Sequence, residues 1–198
     1  DIVIFAVKPQ IIADVITDYK KFKDSIFVSV IAGKEIDFFE RNLGNNAKII
    51  RTMPNLPCLI GEGITAIFAN CNVSKDENRL IEELFKTLGD TVNLTDECQI
   101  DSATAISGSG PASIFHFAES LIASGIILGL SEKIAQKLAL KTMFGSCKMM
   151  IESSKTPTEL KIQVTSKKGT TEAALNKFYE KEFSKIIEEA TKAAKTRA

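Results

Sequence analysis

Acid–base side chains are scarce in this sequence. One histidine, His116, stands among 198 residues, in an apolar stretch between Phe115 and Phe117 with no Asp or Cys motif beside it. That setting fits a satisfied core or interface histidine, not a general base. The four cysteines (Cys58, Cys71, Cys98 and Cys147) form no C-x-x-C pair. Such scatter argues against a zinc site or a disulfide frame and for reduced thiols in a cytosolic-type compartment. No metal-ligand cluster occurs, and no cysteine stands in a nucleophile context. Charge of one sign is missing too: Lys plus Arg and Asp plus Glu balance at 25 each, which leaves no basic field for nucleic acid or an anionic membrane. The longest apolar run, LIASGIILGL (121–130), is about half of what a bilayer requires. The chain opens on Asp1 without a basic leader region. These absences predict a soluble, cytoplasmic protein. If it is an enzyme, its reaction asks for little acid–base equipment, as when a redox cofactor carries the chemistry.

What is present is enough for a sizeable core, with 44% of residues hydrophobic. The first half alternates strand-like and helix-like patterns. IVIFAV (2–7) and IFVSVI (26–31) read as strands buried on both faces, KIIRTM (48–53) as a third, and GITAIFA (63–69) as a fourth. TVNLT (91–95) closes the series. Between them lie helical spacings: Ile11, Ile12, Val15, Ile16 and Tyr19 after Pro9, then Ile36, Phe39 and Leu43. A third helix has Ser74 as N-cap, Leu80, Ile81, Leu84, Phe85 and Leu88 on its apolar face, and Gly89 as C-cap. This order predicts a parallel, doubly wound sheet, whose ligands bind at the carboxyl ends of the strands. A dinucleotide-binding sheet normally starts with a strand, a glycine-rich turn and a helix. No G-x-G-x-x-G or G-x-G-x-x-A occurs before residue 10. Either the fold is of another kind, or the chain lacks its first βα units.

After Asp96 no strand pattern appears. Asp96 can cap a helix that begins ECQIDSATAIS, and the cluster Asp96, Glu97 and Asp101 fits helix-dipole capping or a cofactor contact. SGSGPA (107–112) breaks that helix, with Pro111 placed for the first turn of the next. The following helix is apolar nearly all round, which predicts burial in a bundle or against a partner chain. Ser131 caps another, and Thr156-Pro157-Thr158-Glu159 is a capping box with Pro at the first helical position. The expected organisation is therefore α/β plus all-α: residues 1–97 as a parallel α/β sheet, a partial Rossmann-type one if its first βα units are missing, and 98–198 as a helical, dimerising domain.

The loop VTSKKGTTEAAL (164–175) crowds Ser166, Gly169, Thr170 and Thr171 in front of a helix. If that helix starts at Gly169 or Thr170, the amides of 169–172 point forward unpaired, an anion site suited to a carboxylate or phosphate. Read alone, the loop fits an ordinary N-cap better than a ligand site.

Taken together, AVKP (6–9), IRTMPNLP (50–57) followed by GEGITAI (61–67), AISGSGPA (105–112) and TPTELKIQVTSKKGTTEAAL (156–175) resemble pyrroline-5-carboxylate reductase in order and spacing. The resemblance runs from residue 1 to about 195, and SGSGPA with the VTS..GTT loop is its most specific part. It implies an NAD(P)H-dependent oxidoreductase of proline biosynthesis that reduces the C=N bond of Δ1-pyrroline-5-carboxylate to give L-proline. It also implies a chain that lacks about 60 N-terminal residues carrying the glycine-rich turn. Ser166, Gly169 and Thr170 match the substrate-carboxylate loop, and Thr171 the catalytic hydroxyl that meets the ring nitrogen. Ala6, Val7, Lys8, Pro9, Val30, Ile31, Ala32 and Asn55 match cofactor-contacting strand ends. Glu97, Thr104 and Ser109 match positions on the nicotinamide side. The implied cofactor is NADPH or NADH, the implied assembly a homodimer or an oligomer of dimers. Lys167 and Lys168 depart from the family's Pro-Gly, and Lys168 replaces a glycine whose position favours positive φ. Two rival readings remain: another two-domain imine or hydroxyacid reductase, and a non-catalytic dimerising paralogue. PASIFHFAES (111–120) lacks the catalytic lysine of the hydroxyacid enzymes, which weighs against that rival.

Overall fold

A computed structural model describes all 198 residues. They form two compact units, one made of residues 1–111 with 191–198, the other of residues 112–190.

The first unit is built on a five-stranded sheet in the order β1 (Ile2–Phe5), β2 (Ile26–Ser29), β3 (Lys48–Met53), β4 (Gly63–Ala69), β5 (Gly89–Asn93). β1, β2 and β3 run parallel, as do β4 and β5, but β3 and β4 pair antiparallel. That pairing departs from the all-parallel expectation. The link from Met53 to Gly63 holds only a single 3-10 turn, Leu56–Ile60, whereas a parallel crossover needs a dozen or more residues.

β2 is buried along its whole length, and helices cover both faces of the sheet centre. On one face α1 (Ile12–Val15), the 3-10 turn Ile16–Tyr19 and α2 (Ile36–Leu43) bring Ile12, Ile16, Ile36 and Phe39 onto Phe27 and Ile49. On the other, α3 (Lys75–Lys86) sets Ile81 and Phe85 on Val28 and Ile50. β1 differs from its expected burial on both faces. It has one neighbour strand, and Ile2 and Ile4 are exposed while Phe5 is buried.

Local capping boxes start two of the helices, α3 and the later one that begins at Pro157. The Ser74 hydroxyl accepts from the Glu77 amide while the Glu77 carboxylate accepts from the Ser74 amide, a reciprocal cap. α3 ends at Lys86 with Thr87 as C-cap, so Gly89 is not the cap. It opens β5 instead, at φ +141, where a Cβ would lie 2.1 Å from the Gly63 carbonyl oxygen. α4 (Gln99–Ala103) and a π turn, Thr104–Gly108, follow.

The rest of the chain is helical: α5 (Gly110–Ile127), α6 (Glu132–Glu152), α7 (Pro157–Gln163), α8 (Thr170–Glu180) and α9 (Phe183–Arg197). α7 opens with the predicted Thr156–Glu159 box, Pro157 at its first position. Ser131 precedes α6 as expected, although its hydroxyl makes no capping bond. No helix is long and apolar enough to cross a membrane. His116 is not a core residue of this chain. Its ring is exposed, with Nδ1 3.2 Å from the Glu119 carboxylate.

Candidate functional site

The segment between α7 and α8 is a tight turn ordered by its own backbone. The Gly169 amide donates to the Ser166 carbonyl at 3.0 Å, and Lys168 between them adopts φ +60. Gly169 itself has φ −86, so its freedom is not what the site requires. Close approach is. A Cβ at Gly169 would lie 2.4 Å from Ser166 Oγ and 2.9 Å from the Ser166 carbonyl oxygen. α8 starts at Thr170, and its first helical bond runs from the Ala173 amide to the Gly169 carbonyl at 3.1 Å.

The donor set is therefore smaller than the expected amides of 169–172. Gly169 spends its amide inside the turn, and the first-turn amides left ahead of the helical ladder belong to Thr170, Thr171 and Glu172. Ser166 and Thr170 are exposed and Thr171 is half-buried. The Glu172 carboxylate folds back to accept the Lys168 amide at 2.7 Å. Short hydroxyl donors, free amides and the positive end of an 11-residue helix thus meet at one spot, which suits a carboxylate.

The cofactor-side candidates all lie in the sheet unit, at the carboxyl ends of β1, β2 and β3 and in the turns after Asn93. Ala6, Val7 and Lys8 are exposed, Pro9 is half-buried, and the Lys8 carbonyl closes a turn by accepting the Ile11 amide at 2.9 Å. Val30 extends the β1–β2 ladder, its amide donating to the Phe5 carbonyl at 3.2 Å. Ile31 is buried in the core beside Phe5 and Ile12, so only its backbone is available to a ligand. Asn55 Oδ1 accepts the Ile64 amide at 3.0 Å, tying the end of β3 to the start of β4. Thr104 bonds its hydroxyl to the Ile100 carbonyl at 2.8 Å, and the Ser109 amide closes the π turn on the Thr104 carbonyl.

Glu97 is heavily engaged. Its Oε1 accepts both the Ile36 amide at 2.7 Å and Arg51 Nη1 at 2.6 Å. Arg51 is almost fully buried in β3, and its Nη2 has no hydrogen-bond partner, with Asp101 Oδ1 3.9 Å away. A cleft of about 330 Å³ opens beside this group, lined among others by Gly33, Lys34, Arg51 and Asp101. Arg51 escaped the reading of KIIRTM as an apolar strand. The available signal was its charge, because a buried arginine must find carboxylates. Asp96 caps the turn into α4 through its carboxylate and the Cys98 amide at 2.9 Å, which holds its pKa below the ordinary range. The same carboxylate pushes the Cys98 thiol up, the wrong direction for a nucleophile.

The strand ends offer backbone groups, Asn55 and one ammonium, Lys8, and the π turn adds Thr104. That largely neutral donor set fits the nicotinamide and ribose of a dinucleotide better than its phosphates.

A family model described as pyrroline-5-carboxylate reductase dimerisation matches residues 97–198. The pyrroline-5-carboxylate reductase of Pseudomonas aeruginosa is 36% identical over 200 residues, covering 100% of this chain and 73% of that protein. The Aquifex aeolicus enzyme of the same name is 38% identical over 189 residues, 96% of this chain and 71% of its own length. Among solved structures, the pyrroline carboxylate reductase of Plasmodium falciparum with NADP bound superposes with a TM-score of 0.92 at 34% identity, covering 100% of this chain and 75% of that one. The Coxiella burnetii pyrroline-5-carboxylate reductase gives 0.94 at 33% identity, covering 99% and 74%.

Proposed function

The chain belongs to the pyrroline-5-carboxylate reductase family, and from that premise we infer that it reduces Δ1-pyrroline-5-carboxylate to L-proline with NAD(P)H, the last step of proline biosynthesis. The reduced nicotinamide supplies a hydride to C5 of the ring. The chain's own residues bind, orient and hold protons. A protonated imine is already a strong electrophile, so a site without histidine suffices.

The observation that carries the substrate assignment is the start of α8, where the Thr170 and Thr171 amides face forward at the positive helix end. These amides and the Ser166 hydroxyl take the substrate carboxylate. Gly169 allows the close turn that aims them, and the Thr171 hydroxyl bonds the ring nitrogen. Ala6–Pro9, Val30–Ala32 and Asn55 contact the cofactor, with Glu97, Thr104 and Ser109 on the nicotinamide side. Residues 1–97 serve the cofactor and 98–198 serve substrate binding and dimerisation. The assembly is a homodimer, alone or as an oligomer of dimers, working in the cytoplasm. Support for the dimer comes from the apolar surface of α5 and α6, including Phe115, Ile127, Phe144 and Ile151.

The deciding experiment uses the natural full-length chain and follows NAD(P)H oxidation with pyrroline-5-carboxylate, beside a 3-hydroxy acid in the reverse direction. Turnover of the first and not the second is the expected result. Turnover of the hydroxy acid alone would overturn the reading.

A further inference from the structure

Lys168 occupies a backbone region that its side chain disfavours. At φ +60 a Cβ crowds the following carbonyl, and glycine is the residue that sits there without strain. One side chain anchors this conformation: the Glu172 carboxylate accepts the Lys168 amide at 2.7 Å. Glu172 is the third residue of α8, so it spans the whole first turn of the helix to reach the residue before the cap. Its negative charge also lies at the favourable end of the helix dipole.

We propose that Glu172 is a positioning residue for the substrate-carboxylate loop. Its carboxylate clamps the Lys168 amide, keeps a lysine where the turn calls for glycine, and so fixes the direction of the Thr170 and Thr171 donors. The inference rests on the loop being the substrate-carboxylate site. It explains how a lysine is accommodated at this left-handed position of the turn. Without the clamp the left-handed conformer is one of several, and affinity falls with its population.

The test is a double-mutant cycle in the natural full-length enzyme. Glu172→Ala raises KM for pyrroline-5-carboxylate about three- to tenfold, more than it changes kcat or the KM for NADPH. In a Lys168→Gly background the same substitution has little effect, because glycine needs no anchor, and the double variant regains the lower KM. An unchanged KM in Glu172→Ala overturns the proposal. So does a rise that persists in the glycine background, which also covers the case in which Glu172→Ala alone fails to fold. Amide hydrogen exchange at Lys168 separates this from the functional reading. Protection there falls in Glu172→Ala whatever the substrate proves to be, and unchanged protection sinks the clamp even if turnover is as expected.

Discussion

Arg51 reaches Glu97 at 2.6 Å across 46 residues of sequence, and the same glutamate oxygen accepts the Ile36 amide at 2.7 Å. One ion pair thus joins the third strand, the start of α2 and the turn before α4. Arg51 is 3% exposed and Glu97 28%, so removal of either partner leaves a charge poorly solvated. Arg51→Met should destabilise the protein by about 3 kcal/mol, the lower end of the range for a broken buried pair because Glu97 retains some water. The double change Arg51→Met with Glu97→Gln should cost less than the sum of the singles. Urea unfolding measures both. A loss under about 1 kcal/mol for Arg51→Met would show that the pair adds nothing to the fold.

Thr171 sits in the first turn of α8, half-buried, and its hydroxyl is the group we propose to bond the ring nitrogen. Thr171→Val should lower kcat/KM by roughly 10- to 100-fold, the loss of one hydrogen bond to a charged or charge-developing nitrogen at about 1.5–3 kcal/mol. Thr171→Ser should stay within a few-fold. A valine variant that matches the parent would remove the hydroxyl from the chemistry.

A window of acid sensitivity follows from Glu77. The Lys48 ammonium 2.5 Å away, helped by the Ser74 amide and hydroxyl, lowers its pKa to about 2. A carboxylate whose folded pKa is depressed adds stability above its unfolded pKa, and that stability disappears as pH falls. The loss should run from about pH 4.5 down to about pH 2. Glu77→Gln should flatten the unfolding free energy across this window, and added salt should weaken the parent's dependence because the pair is part-exposed. Parallel acid curves for parent and variant would refute the assignment.

Legibility in the sequence followed the range of the interaction. The Ser74 cap and the Thr156 box are local, closed within four residues, and both were legible from spacing, although the Glu77 half of the Ser74 box was missed. The core faces of α2 and α3 were legible in Ile36, Phe39, Ile81 and Phe85 because helical periodicity is also local, but Leu80, Leu84 and Leu88 of the expected α3 face are exposed. The antiparallel β3–β4 pair was misjudged, since apolar content does not encode direction and only the shortness of the link does. The burial of β1 was misjudged because an apolar run does not reveal whether both of its faces are covered. Arg51 and Glu172 were missed for related reasons. The partner of Arg51 is 46 residues away, and Glu172 looked like an ordinary first-turn acid until the φ of Lys168 gave it a task.

His116 has an exposed ring within hydrogen-bond reach of only a surface glutamate, Glu119. His116→Phe should leave the pH profile of kcat/KM unchanged. A change in that profile would place the ring in the reaction after all.

Residues 112–190 bear an apolar surface that no part of the chain covers. Ile127, Leu128 and Ile151 are each 83% exposed, and Phe144 is 61% exposed. Soluble monomers rarely leave so many large side chains in water, and the matching family model is named for dimerisation. Sedimentation equilibrium should therefore give a homodimer at micromolar concentration. Phe144→Glu should weaken it, because a carboxylate buried without a partner costs several kcal/mol, on the order of a hundredfold or more in the dissociation constant. The same change should barely affect a protein that is monomeric, since Phe144 is already in water there. A parent that sediments as a stable monomer would overturn the dimer, and a Phe144→Glu variant with the parent's dissociation constant would put the interface elsewhere than on α6.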